Sequence, residues 1–233
     1  MMKKNELTTV LKSLPELQVF EASKLYNQHF NHEISEAAYY KALERLTKEE
    51  QLAKISKGLY CRPKKTKYGI VLPSEKSIVN EYIKENSGVV VGYSLYNTLD
   101  LSTQIAKNIN IYSNAINQRT KTVGNIYIKH ISLEFNKDIS RAVEFLEVLS
   151  NFYAIQDLNY NSFIRYCSQY VETYNESVIE IIIKNMNYSK STIAFLRNIL
   201  SYYGISNSLS KYLSALSTYK HPEMEKIYEL ARV

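Results

Sequence analysis

The chain has 233 residues, 45% apolar and 22% charged, an ordinary globular composition that excludes a disordered, low-hydrophobicity polypeptide. Of its net charge of +6, five units fall in residues 1–70, which hold 13 Lys and Arg against 8 acidic residues. Cys61 and Cys167 lie far apart, no charged-then-apolar leader precedes the first polar helix, and the most apolar run, residues 178–183, is far shorter than the roughly 20 residues a spanning helix needs. The expectation is a cytoplasmic protein with no disulfide framework and no membrane partner.

Residues 6–14 predict a first helix that stops at Pro15, because proline lacks an amide donor and disfavours helix at the residue before it. Val19 and Phe20 lead into a short helix over 22–28, with Leu25 and Tyr26 turned inward and polar residues 29–33 forming the turn. Ser35 supplies an N-cap and Glu36 a carboxylate in the first turn of a third helix, which runs to about Lys48 with Tyr39, Leu43 and Leu46 on one buried face. Residues 52–55 and 59–62 read as two short strands joined by Ser56-Lys57-Gly58, where Gly58 can take the positive φ of a tight hairpin. Three helices and a basic hairpin in this order predict a winged helix-turn-helix over residues 1–69. Residues 63–73, Lys-rich and punctuated by Pro63, Gly69 and Pro73, read as the connection that holds the domain boundary.

Beyond it, a helix over 74–85, a β-branched run at 89–91, a short helix over 94–99 and strands near 109–112 and 126–131 give a mixed α/β region over 70–136. From Asp138 onward helical spacing dominates, as in Ala142, Phe145, Leu146, Leu149 and Phe152, or Ile193, Leu196, Leu200 and Tyr203. A helical bundle over 137–233 follows, with Gly204 a C-cap between two of its helices; 70–233 can equally be one domain. The fold class expected is α+β, mainly α.

Little in the sequence points to catalysis. His29 and His32 are close, with Cys61 a wing neighbour, but the four-ligand spacing of a structural zinc site is missing, and solvent-facing turn histidines are the simpler reading. There is no Gly-rich phosphate loop and no Gly-x-Ser-x-Gly elbow. Gly92-Tyr93-Ser94 followed by Asp100 shares the Gly-Ser turn of a nucleotidyltransferase but lacks the second carboxylate needed for the catalytic metals. No enzyme activity, metal or cofactor is expected.

Residues 54–67 contain Lys54, Lys57, Arg62, Lys64, Lys65 and Lys67 and no acidic residue, a footprint suited to a phosphate backbone, although a solvated charge run would look the same. If the third helix enters a major groove, its exposed side offers Ser35, Glu36, Ala37, Tyr40, Lys41 and Glu44, with Arg45 beside them; Tyr40 and Lys41 lead. Lys54, Lys57, Arg62, Lys64 and Lys65 would hold phosphates. Tyr93, Ser94, Asn97 and Gln104 form either a site or a packed strand-to-helix turn, and Arg119 could extend the basic surface.

Two stretches carry a family resemblance. They are Leu43-Glu-Arg-Leu46 through Leu52-Ala-Lys-Ile55-Ser-Lys-Gly58-Leu-Tyr60, and Gly69 with Pro73-Ser74 followed by Gly92-Tyr93-Ser94-x-Tyr96-Asn97-x-Leu99-x-Leu101-Ser102-Thr103-Gln104. Together they resemble the AbiEi-like antitoxins and related winged-helix regulators of type IV, abortive-infection toxin–antitoxin operons. The sequence departs from that pattern at Glu50, where a glycine commonly ends the recognition helix, and at Asp100, where a glycine precedes the leucine. The resemblance implies a repressor of its own operon and a C-terminal domain that counters a nucleotidyltransferase-like toxin without an assumed stable complex. Two copies on an inverted-repeat operator in double-stranded DNA are expected, one recognition helix reading only a few base pairs. The competing expectation is a protein-interaction adaptor whose winged helix binds a protein.

Overall fold

The computed structural model describes residues 4–231. It is mixed α and β with helix predominant, and it divides into two compact units whose boundary falls between Glu81 and Tyr82. Among the described residues no helix is long and apolar enough to cross a membrane.

The first unit opens with α1 (Lys4–Ser13), β1 (Val19–Glu21), α2 (Ala22–His29) and α3 (Glu36–Lys48). Leu7 and Leu11 of α1, Phe20, Phe30, and Tyr39, Ala42, Leu43 and Leu46 of α3 close one apolar cluster with Leu52 and Tyr60. That burial, rather than intrinsic propensity, holds helices as short as the eight-residue α2. α3 starts where Ser35 Oγ accepts the Ala38 amide at 3.3 Å. It ends with Glu50 at φ +53°, the Glu50 amide bonded to the Thr47 carbonyl and the Gln51 amide to that of Leu46. This is a Schellman closure made without glycine, so the sequence departure at Glu50 is itself the left-handed residue, at a cost of about 1 kcal/mol.

β2 (Ala53–Ser56) and β3 (Leu59–Cys61) follow, and β1 completes a three-stranded antiparallel sheet in the order β1-β3-β2, with Val19 and Ala53 flanking Cys61. Val19 and Phe20 therefore do not merely lead into a helix. All three β1 residues are buried, so no inward–outward alternation marks them as strand. Residues 63–73 are likewise not a plain connection: β4 (Lys64–Thr66) and β5 (Gly69–Val71) pair as a separate antiparallel ribbon, register Lys64–Val71 to Thr66–Gly69.

α4 (Glu75–Ile83) leads to the second unit, with its sheet of β6 (Gly88–Val91), β7 (Ile109–Ser113), β8 (Thr120–Val123) and β9 (Ile126–His130) in the order β6-β7-β9-β8. β7 and β9 run parallel, the other pairs antiparallel; β8 is a strand the sequence reading did not include. At Gly88 a Cβ would lie 2.4 Å from the Tyr112 carbonyl and 2.8 Å from that of Tyr82, so no side chain fits there. Short α5 (Tyr93–Thr98) sits between β6 and β7, and α6 (Lys137–Ser150), α7 (Tyr160–Val171), α8 (Glu176–Asn185), α9 (Lys190–Tyr202) and α10 (Met224–Ala231) complete the unit. Val89 and Val91 of the sheet share one continuous apolar core with all five of these later helices. Within it the Phe145 and Tyr170 rings stack at 3.8 Å, and Phe152, Phe163 and Phe195 meet edge and face. Gly204, at φ +71°, closes α9 through the Ile205 amide to the Leu200 carbonyl.

Candidate nucleic-acid interface

Burial of Tyr39, Ala42, Leu43 and Leu46 leaves the opposite face of α3 in solvent. Glu36, Ala37, Ala38, Lys41, Glu44 and Lys48 are exposed there, Lys48 pairing with Glu44 at 3.0 Å. Tyr40 is half-buried, edge-on to Tyr39 with ring centres 5.4 Å apart, and burial raises its hydroxyl's pKa. Its ring is partly committed to packing while the rest is open to a partner. Ser35 already uses its hydroxyl on the helix cap.

The two arginines are engaged within the fold. Arg45 Nη2 donates to Thr8 Oγ1 on α1 at 2.8 Å, and its Nε lies 3.8 Å from Glu49. Arg62 Nη1 donates to the Leu14 carbonyl at 2.9 Å, and its own carbonyl accepts the Leu17 amide, so it fastens the end of α1 to β3's exit. Lysines make up the open cationic surface: Lys54 on β2, Lys57 in the β2–β3 turn, and Lys64, Lys65 and Lys67 in the ribbon are all exposed. Lys65 Nζ stands 3.7 Å from Glu50 at the end of α3. The ribbon pairing is what the sequence reading passed over, because a lysine-rich strand with nothing buried carries no apolar period.

His29, the last residue of α2, and His32 in the turn after it are both exposed, whereas Cys61 is buried and its thiol pushed up by burial. Among the described residues no group of three or more His, Cys, Asp or Glu could hold a metal ion.

The second candidate stretch is knitted into the fold. Asn97 Nδ2 donates to the carbonyls of Ser102 (2.7 Å) and Gln104 (2.9 Å), and Ser102 Oγ to that of Gln156 (2.8 Å). Tyr93 OH donates to the Ala154 carbonyl at 3.4 Å and accepts the Gln156 amide at 3.2 Å, while the Gln104 amide reaches the Asp157 carboxylate. Ser94 is half-buried, and its carbonyl takes the Thr98 hydroxyl. Tyr93, Ser102 and Gln104 thus clasp this stretch to residues 154–157, while Asn97 pins residues 102–104 from within. Asp100, at φ +56°, closes α5 as Glu50 closes α3, with the Leu101 amide on the Tyr96 carbonyl at 2.8 Å. Arg119 is exposed and stands apart from this clasp in sequence, next to β8; its carbonyl accepts the His130 amide at 3.0 Å.

A cavity of about 180 Å³ opens where Gly92, Asn110, Tyr112, Tyr127, Lys129 and Glu147 meet. Tyr112 OH donates to Glu147 Oε2 at 3.2 Å, and burial raises the Glu147 carboxyl, partly offset by that bond and by Lys129. These residues come from the turn after β6, from β7, from β9 and from α6, and no local motif announces them.

The chain belongs to DUF6088, a family of unknown function, whose model matches residues 11–159 and so covers the basic unit from the end of α1, the sheet and the clasp. No curated protein matches it.

Proposed function

We propose that the first unit is a winged helix-turn-helix that binds duplex DNA, with α2 and α3 as the helix-turn-helix and β2–β3 as the wing. The observation that carries this reading is the pairing of a one-face-buried α3 with a contiguous basic surface. Residues 51–74 contain six Lys and Arg and no acidic residue, and the five lysines among them are exposed. In this reading Ala37, Tyr40 and Lys41 face the major groove, and Lys54 and Lys57 hold phosphates on the flanking backbone. Ser35, Arg45 and Arg62 shape that surface from within.

The chain then acts as an autoregulator of its operon, as two copies on an inverted repeat, and as an antitoxin opposing a nucleotidyltransferase-like toxin. This larger reading is supported by the resemblance of residues 43–60 and 92–104, and the second unit is its protective part. The test uses the full chain with Lys41, Lys54 and Lys57 changed to Gln, on a duplex from upstream of its own reading frame. Affinity should fall, and the salt slope should flatten by up to about 2, near 0.9 per lost phosphate contact. In co-expression with a nucleotidyltransferase-like protein encoded beside it, this variant should still rescue growth. Rescue that vanishes along with DNA binding would make the protection purely transcriptional. Tight binding with no salt dependence would favour a protein partner.

A further inference from the structure

Among the described residues, the β4–β5 ribbon buries none of its own strand side chains. Every residue of both strands is exposed, and so are Tyr68 (88%), Ile70 (46%), Val71 (42%) and Leu72 (53%). An isolated two-stranded hairpin is marginal in water, yet this one is carefully built. Thr66 Oγ1 donates to the Gly69 carbonyl at 2.9 Å and accepts the Tyr68 amide at 3.2 Å, which fixes the turn that lifts Lys67 and Tyr68 to the tip. Lys67 Nζ stands 4.9 Å from the centre of the Tyr68 ring. At its base, Lys65 reaches Glu50 at the end of α3.

We propose that this ribbon is a second DNA-contacting arm, in which Lys64, Lys65 and Lys67 hold phosphates and Tyr68 enters a groove. The inference rests on the DNA-binding reading of the first unit and adds an element to it. Charge selects the occupant. Each face of the ribbon presents a lysine beside an apolar side chain, Lys64 with Val71 and Lys65 with Ile70, and the tip presents an ammonium over an aromatic ring. A duplex offers partners for both chemistries, phosphates for the ammonium groups and base or sugar surface for the ring, and its grooves accept a two-stranded ribbon. A second copy of the chain does not: pairing two ribbons edge to edge would bring six lysines together, and edge lysines oppose such pairing.

The experiment compares four full-length proteins on a fluorescein-labelled mixed-sequence duplex of about 30 base pairs: wild type, K64Q/K65Q/K67Q, Tyr68→Ala, and K54Q/K57Q. Because the ribbon side chains are exposed, thermal midpoints should match wild type in both ribbon variants. The lysine variant should bind more weakly with a salt slope shallower by roughly 3, near 0.9 per contact. Tyr68→Ala should lose about tenfold at an unchanged slope, since a ring on a base or sugar releases no counterion. If both ribbon variants keep wild-type affinity and slope while K54Q/K57Q loses them, the arm is refuted and the wing stands. Wild type failing to bind any duplex would remove the DNA reading and the arm with it. A change in sedimenting mass in the ribbon variants, with DNA binding intact, would overturn the arm in favour of an interface between copies.

Discussion

The two units use their helices differently. α3 buries four residues along one stripe, and the face opposite is a row of short and charged side chains. α6 buries Ile139, Ala142, Val143, Phe145, Leu146, Val148 and Leu149, and so faces neighbours on most of its circumference, among them β6, α8 and α9. A helix enclosed in this way is scaffold and has little surface left for a partner, whereas a helix buried on one stripe can present the other. The charge follows the same division, concentrated before residue 71 and nearly balanced after it. Under the proposed function, recognition and bulk fall in separate parts of the chain, and substitutions can probe them one at a time.

The largest expected effect is in the second unit. Phe145 is fully buried and stacks on Tyr170, so Phe145→Ala should destabilise that unit by about 4 kcal/mol through lost burial and a cavity. Calorimetry should show its transition lowered while duplex affinity below that transition stays at the wild-type value. Affinity falling in step with stability would mean that the units do not act separately.

A smaller effect is electrostatic. Burial pushes the Glu144 carboxyl up to about 7, against partial relief from Arg141, from an ordinary value of 4.5. The folded chain therefore holds this proton more tightly than the unfolded chain. Its stabilising contribution is complete below about pH 4.5 and is lost as pH rises to about 7. Glu144→Gln should flatten the stability profile of the second unit across this window by up to about 3 kcal/mol, leaving the salt slope of DNA binding unchanged. Denaturant melts at several pH values read the first quantity and titrations the second.

The smallest effects come from the two left-handed carboxylates that close α3 and α5, Glu50 and Asp100. Glu50→Gly and Asp100→Gly should each raise stability by up to about 1 kcal/mol, because glycine adopts positive φ without a Cβ penalty. Glu50→Gly also frees Lys65, so it should strengthen duplex binding slightly, which Asp100→Gly should not. Equal effects on binding would remove the link between the ribbon and α3.

These cases show where sequence reading succeeds. α3 was legible because its cap, first-turn carboxylate and apolar spacing agree, and the β2–β3 turn because Gly58 marks it. β1 was hidden because three consecutive buried residues show no alternation, and β8 because four residues, one of them buried, give no period. The ribbon was hidden for the opposite reason: with no buried residue, its strands are held by backbone pairing that composition does not record. Side-chain roles were less legible still. Arg45 and Arg62 look like any other cations in sequence, and only the fold brings them to Thr8 and to a carbonyl 48 residues away. Asn97 and Gln104 read as candidate binding groups until their hydrogen bonds are traced to backbone and to Asp157.

The central claim is that the first unit meets DNA through phosphates, and the most direct test is the salt dependence of duplex binding by the full chain. With Lys54, Lys57 and the three ribbon lysines on phosphates, a plot of log affinity against log salt should be linear with a slope of roughly −4 to −5, near −0.9 per contact. A folded chain that fails to bind duplex at low salt, or binds it with a slope near zero, would contradict the account.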